Sequence, residues 1–240
     1  MTSHDWSSLA SALSNALNLM SPPLAITFSA ELPAGVETFS TPMPPPLADG
    51  RTGRVAAGCV FWTKATDRTF ATVAEDHANC SVGSVTHGFK TLDEVAGNSD
   101  VAAMLNAGWV TMDVVPQIPV VATKPAAVTY GPLGDAVIDP DVILLRINAK
   151  QLIVLHDAIP GLRIEGKPQC HIVAIAKEHN EPAASVGCAL SRVRTGMSAN
   201  EMTCALPAQQ LPEIVATIER NAAADTTVAR YAAQDALRFA

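Results

Sequence analysis

The chain has 240 residues, 48% of them hydrophobic and 16% charged, enough apolar mass to bury a core without disulfide staples. Lys and Arg total 16 against 23 Asp and Glu, a net charge of −7, and without clustered positive charge a nucleic-acid partner is excluded. Apolar runs such as Val142–Ile147 and Ile172–Ala176 fall far short of the roughly 20 residues that cross a bilayer. Met1 to Leu19 also lacks a basic leader before an apolar run, so the expectation is a cytoplasmic chain with no membrane partner.

Trp6, Leu9, Leu13, Ala16 and Leu17 recur at helical spacing, with Ser3 or Asp5 as the cap. Ser21-Pro22-Pro23 ends that helix, because a proline keeps the residue before it out of the α region. Leu24 to Phe28 reads as a short strand, and the Pro-rich loop 32–53 follows as an exposed arm. Residues Gly53 to Phe70 read as a small-residue helix leading into a strand near Thr69–Val73. A second helix follows Cys80 and closes at Gly88, and Leu92–Leu105 is helical with a break at Gly97-Asn98.

Ala127–Tyr130 and Val142–Ile147 read as strands, and Asn148 caps a helix running to Ala158. The apolar run His171–Lys177 fits helix and strand equally. Two C-terminal helices are expected, at Gln209–Arg220 and Thr226–Leu237. The fold class is therefore α+β, in one domain over residues 1–240, since no linker separates independent units.

Cys80-Ser-Val-Gly-Ser-Val-Thr-His-Gly88-Phe89 can be laid over Cys188-Ala-Leu-Ser-Arg-Val-Arg-Thr-Gly196-Met197. Cys, Val, Gly and a large apolar residue coincide, and each segment has a further Cys upstream, Cys59 or Cys170. One reading is chance in a chain rich in Ala, Val and Gly. The other is an internal duplication, with pseudo-repeat units 53–90 and 163–198.

In a reducing compartment the five cysteines are thiols before they are disulfides. Soft thiolates favour iron–sulfur clusters, zinc or cuprous ions, and Cys80 and Cys188 each precede an expected helix, whose free N–H groups lower a thiol pKa. No Cys-x-x-Cys pair is present, and inert burial is the competing reading, above all for Cys204. His87 beside Gly88 is either an acid/base group or a cap on helix carbonyls. Asp76-His77 is a partner for a nucleophilic Cys or a solvated turn, and the solvated turn is favoured. Arg192, four residues after Cys188, either binds a carboxylate or pairs with Glu201. Tyr130-Gly-Pro-Leu-Gly134 lacks the ending of a phosphate loop, and no Gly-x-Ser-x-Gly, His-Glu-x-x-His or Gly-x-Gly-x-x-Gly occurs.

The order of Pro23-Leu-Ala-Ile26, Cys59, Cys80-Ser-Val-Gly83, Gly88-Phe89, Pro140-Asp-Val-Ile-Leu-Leu145, Cys170, Cys188-Ala-Leu-Ser-Arg192, Gly196, Glu201 and Pro207 carries a family likeness. It resembles the uncharacterised bacterial and archaeal proteins grouped as domain of unknown function 169, over about residues 10–220. The resemblance implies a shared site at the four thiols Cys59, Cys80, Cys170 and Cys188, and no assigned activity. Ser81 stands where that family usually has Pro, and Ala189-Leu190-Ser191 where it tends to have Asn-Gly-Asp.

The expected function is a cysteine-ligated metal or iron–sulfur protein, of the [4Fe–4S] type. Cys59, Cys80 and Cys188 would be ligands, and Cys170 a fourth ligand or a catalytic thiol. His87 would be a proton donor and Arg192 an anion anchor, in an enzyme removing a leaving group from a small-molecule substrate by elimination or reduction. Two alternatives stand beside it: a non-catalytic module holding a small ligand or structural zinc, and a metal-free enzyme with Cys80 or Cys188 as nucleophile. The Pro-rich loop would close over the site or pack on the partner subunit of a homodimer.

Overall fold

Why the first helix starts and stops where it does is visible atom by atom. In the computed structural model, which describes residues 4–39, 59–166, 168–195 and 197–239, α1 spans Trp6–Leu17. Asp5 caps it, its Oδ1 accepting from Ser8 N at 3.0 Å, and Asn18 ends it in the left-handed region at φ 51°. Its buried face is Trp6, Ala10, Leu13 and Leu17. The Pro-rich loop from residue 40 on, residues 53–58 of the expected small-residue helix, and Gly196 lie outside the described residues.

Strand β1 covers Leu24–Ser29, followed by α2 (Cys59–Lys64), β2 (Phe70–Thr72), α3 (Ser81–Thr86), α4 (Leu92–Val95) and α5 (Ser99–Asn106). Helix α3 closes at Gly88, φ +76°, where an added Cβ would strike the Val121 carbonyl. Then come β3 (Ala127–Pro132), β4 (Val142–Ile147) and α6 (Ala149–Ala158). Asn148 and Gln151 form the reciprocal cap of α6, with backbone-to-side-chain bonds of 3.0 and 2.8 Å.

The last third holds β5 (Arg163–Glu165), α7 (His171–Ala174), β6 (Ala183–Ser185), α8 (Ala189–Thr195), β7 (Met202–Pro207) and α9 (Leu211–Ala236). The ambiguous run at His171 is helical, continuing from α7 into a π-turn over Ile175–His179. The two C-terminal helices expected from the sequence are one helix of 26 residues. Asn221-Ala-Ala-Ala-Asp225 carries no Gly or Pro, and its alanines are strong helix formers, so nothing breaks the helix there.

The seven strands form one mixed sheet in the order β2-β3-β1-β4-β7-β6-β5, antiparallel except at β5–β6. Both faces are covered, which makes the fold α+β with a three-layer arrangement. On one face Ala25, Ile143, Leu145, Cys204 and Leu206 pack with residues of α1, α6 and α9. On the other, Leu24, Ile26, Tyr130, Leu144 and Ala205 pack with Phe61, Trp62 and Ile172 of α2 and α7. Burial on both faces explains the continuous apolar run of β4. Fully burying a large side chain such as Phe61 or Phe70 contributes roughly 1.5–3 kcal/mol. Cys170 and the partly buried Cys59 pack in the cluster on the second face, and Cys204 in that on the first.

The sheet registers repeat about its centre. Leu24 pairs with Pro132 in β1–β3, and Val142 with Pro207 in β4–β7. Phe70 pairs with Tyr130, two before Pro132, and Ala183 with Ala205, two before Pro207. Each proline leads into a 3-10 turn, where Leu133 N donates to Pro23 O at 2.7 Å and Ala208 N to Asp141 O at 3.1 Å. In the central β1–β4 pair Leu24 meets Leu144, Ala25 meets Ile143 and Ile26 meets Val142. Exchanging Leu24 with Val142 and Pro132 with Pro207 leaves this set of pairings unchanged.

Candidate functional site

Both halves of the sheet carry the same run of elements: Cys, helix, strand, Cys, helix. Cys59 opens α2 and Cys80 is the N-cap of α3; Cys170 is the N-cap of α7 and Cys188 immediately precedes α8. The helices pack crosswise between halves, α2 on α8 and α3 on α7. Residues as far apart in sequence as Cys59 and Cys188 are thereby brought to one place, since Cys59, Cys80, Cys170 and Cys188 all line one cavity of about 30 Å³. That is room for one or two waters. Its remaining walls are mainly apolar, from Val82, Met104, Trp109 and Leu190.

Polar side chains fix the thiol-bearing turns. Asp100 accepts from Ser81 N at 2.9 Å and Ser81 Oγ at 2.6 Å, and Asn98 Nδ2 donates to the same hydroxyl at 2.8 Å, which ties α5 to the start of α3. The Cys80 sulfur accepts from Gly83 N at 3.4 Å. Across the cavity Gln169 Nε2 donates to Ser191 Oγ at 2.8 Å, joining the turn before α7 to α8. Gly187, at φ +114°, lies under the Arg192 guanidinium, where a Cβ would have no room. That glycine lets the chain enter Cys188.

Burial governs the electrostatics of the thiols. It pushes the Cys59 thiol up, against hydrogen bonds from Ser191 and then Gln169 that favour the thiolate. Burial also pushes Cys170 well above its ordinary value, and the neighbouring thiols, Cys80 foremost, add to the rise. Tyr130 is raised by burial and then by Cys170 and Cys59, so its ring belongs to the same surroundings. The Tyr130 hydroxyl and Gln169 Oε1 are buried without a hydrogen-bond partner among the described residues. Buried polar atoms are nearly always satisfied, and Gln169 lines the cavity, so its orphan oxygen marks a place where a ligand or ordered water belongs. Among the described residues no three His, Cys, Asp or Glu side chains are grouped as ligands of a single metal ion.

The other residues singled out by sequence lie elsewhere. His87 ends α3, its Nδ1 donating to Gly83 O at 2.9 Å and its ring stacking on Phe28. Burial lowers its pKa to about 4, so it is a neutral ring that caps a carbonyl and does not line the cavity. Asp76 and His77, expected in a solvated turn, are both buried. His77 sits in an aromatic cluster with Phe61, Phe89 and His87, and Thr72 Oγ1 lies 3.0 Å from its Nε2.

Arg192 donates to the carbonyls of Val186, Ala199 and Glu201, and Glu201 in turn takes a two-pronged ion pair from Arg146. The guanidinium holds the loop around α8 and does not line the cavity. Cys204 is wholly buried in β7, its thiol pushed up to about 12 by burial, and it is a packing residue as the sequence suggested.

Sequence reasoning missed Gln169, Ser191, Asp100 and Tyr130. Two of them carried a local signal: Gln169 adjoins Cys170, and Ser191 is three residues after Cys188, on the same helix side as that thiol. Asp100 and Tyr130 reach the site only through folding. No helix among the described residues is long and apolar enough to cross a membrane. No curated protein and no solved structure matches the chain. The family model of the uncharacterised ArCR proteins matches residues 12–217, a span containing all four cavity thiols, and the chain belongs to this family, domain of unknown function 169.

Proposed function

We propose that Cys59, Cys80, Cys170 and Cys188 hold a thiolate-ligated metal centre, an iron–sulfur cluster, at the junction of two structurally related halves. The observation that carries this reading is the crossed packing of α2 on α8 and α3 on α7, which delivers four thiols to one cavity. The repeated sheet registers support descent of the halves from one duplicated unit. Soft thiolates select iron–sulfur clusters, zinc or cuprous ions. Gathering four thiols at one cavity has no packing advantage that aliphatic side chains would not supply, and a cation removes the repulsion that ionising them creates.

A cluster places its cysteines on separate irons, whereas thiolates sharing one zinc stand about 3.8 Å apart, the edge of a tetrahedron with arms of about 2.3 Å. The cluster therefore does not need three thiols closed around one ion. It is larger than the one or two waters that the cavity of about 30 Å³ holds, so the thiol-bearing turns must part to take it up. If Cys170 stays free and three thiols bind, such a centre supplies one iron as a Lewis acid for a substrate oxygen, sulfur or halide. The reaction class is elimination, or reductive removal, of a leaving group from a small molecule. Burial raises Cys59 and Cys170, which weighs against either as a metal-free nucleophile. Five free thiols suit the reducing cytoplasm, where we place the protein.

The test is iron and acid-labile sulfide analysis, with a visible spectrum, on protein made and purified without oxygen. Stoichiometric iron and sulfide with charge-transfer absorption are expected. Stoichiometric zinc in colourless protein would select the structural-metal alternative, and metal-free colourless protein overturns the proposal.

A further inference from the structure

A second cavity, of about 340 Å³, adjoins the thiol cavity and shares Val82, Met104 and Pro168 as its dividing wall. Its volume lies in the range of about 300–1,000 Å³ typical of small-molecule sites. The lining is apolar, with Val85 of α3, Val95 of α4, Val101 and Leu105 of α5, and Val115 and Ile118 from the segment that follows. Among the described residues no Lys or Arg lines it, and Asp93, exposed, is the lone full charge in the lining. Ser81 also lines it, but its hydroxyl is engaged by Asp100 and Asn98.

The exception to this apolar wall is His171, the first residue of α7. It is 5% exposed, it lines the cavity, and its Nε2 is buried with no hydrogen-bond partner among the described residues. A buried orphan ring nitrogen is costly unless a ligand or water completes it. We infer that this cavity binds an uncharged, mainly apolar small molecule bearing one hydroxyl or phenol group, which hydrogen-bonds to His171 Nε2 beside the thiol cavity. A hydroxyl both donates and accepts, so it satisfies that nitrogen in either tautomer. Among the described lining residues a carboxylate or phosphate finds no cation and faces Asp93. Arg163 acts on His171 from outside the lining but is already paired with Glu165, so the anion would lose its hydration without return. That the molecule is the substrate of the thiol centre rests on the metal-centre reading; its binding does not.

The experiment is calorimetric titration of the full chain, as isolated and after chelation, with 4-propylphenol, propylbenzene and 4-propylbenzoate. The phenol is expected to bind in both preparations, with the benzoate at least about tenfold weaker. His171→Leu should weaken the phenol by about tenfold and leave propylbenzene nearly unchanged. Val101→Phe, which fills the cavity from its half-buried wall, should abolish binding of all three and covers the case in which the histidine variant does not fold. Absence of phenol binding, or benzoate binding as tight as phenol, overturns the inference. Phenol binding to protein that never carries metal would retain this site while removing the metal-centre reading.

Discussion

Ala25 and Ile143 face each other in the central β1–β4 ladder, and the pairings on either side of them are exchanged about that point. The thiols obey the same exchange. Cys188 of one half acts electrostatically on Cys59 of the other, and Cys80 on Cys170. A site assembled this way depends on both halves, so losing a thiol from either should disable it.

On the metal-centre proposal, Cys80→Ser and Cys188→Ser are each expected to lose most of the iron and sulfide per chain that the unaltered protein carries. Cys204→Val should retain it, because Cys204 packs between strands on the opposite face of the sheet, and its stability should change by less than about 1.5 kcal/mol. Equal metal loss in all three variants would show that unfolding, and not ligation, was being measured.

Thiol labelling should follow exposure. In chelated, reduced protein, Cys59 and Cys80 are half-buried, whereas Cys170 and Cys204 are buried. Mass spectrometry after brief alkylation at pH 8 should find label first on Cys59 and Cys80, and on Cys204 only after denaturant is added. Early labelling of Cys204 would contradict the placement of β7 inside the sheet.

His87 makes stability pH-dependent. Its folded pKa is about 4 against an ordinary 6.5, chiefly through burial, so the unfolded chain takes up a proton first as pH falls. The stability it contributes is complete above pH 6.5 and is lost progressively down to about pH 4, a total on the order of 3 kcal/mol. Urea unfolding at pH 7.5, 5.5 and 4.5 should show this decline, and His87→Gln should flatten it. His77, buried next to it and also lowered by burial and then by His87, leaves a residual slope of the same sign.

Gly187→Ala should cost about 1–3 kcal/mol, because the backbone there is at φ +114° and a Cβ meets the Arg192 guanidinium. Arg192→Lys, whose compact ammonium on a flexible stem does not reproduce the rigid planar guanidinium that meets these carbonyls, should also destabilise the approach to Cys188. Urea midpoints and metal content measured on both variants would check this. Unchanged values would mean that the loop does not position the thiol.

Much of the molecule follows from local sequence. The helical spacing from Trp6 to Leu17, the Asn148 and Gln151 cap, the Gly97-Asn98 break and the Gly88 stop each act within a few residues. The placement of Cys80 and Cys188 before helices was equally local. Strands β5 and β6 were not legible, because three residues carry too little alternation to distinguish them from loop. Strand β7 was also missed, since burial on both faces removes the alternation that marks an exposed strand.

By itself, then, the sequence determined an acidic α+β chain with five thiols, and left open whether the likeness of the two Cys segments was a repeat or chance. Only the tertiary structure decided which thiols meet, that Cys204 lies on the far face, and that His87 and Arg192 spend their donors on backbone carbonyls. The reason is physical. Caps and turns depend on neighbours a few residues away, whereas the meeting of α2 with α8 depends on strand registers set by burial across the whole sheet.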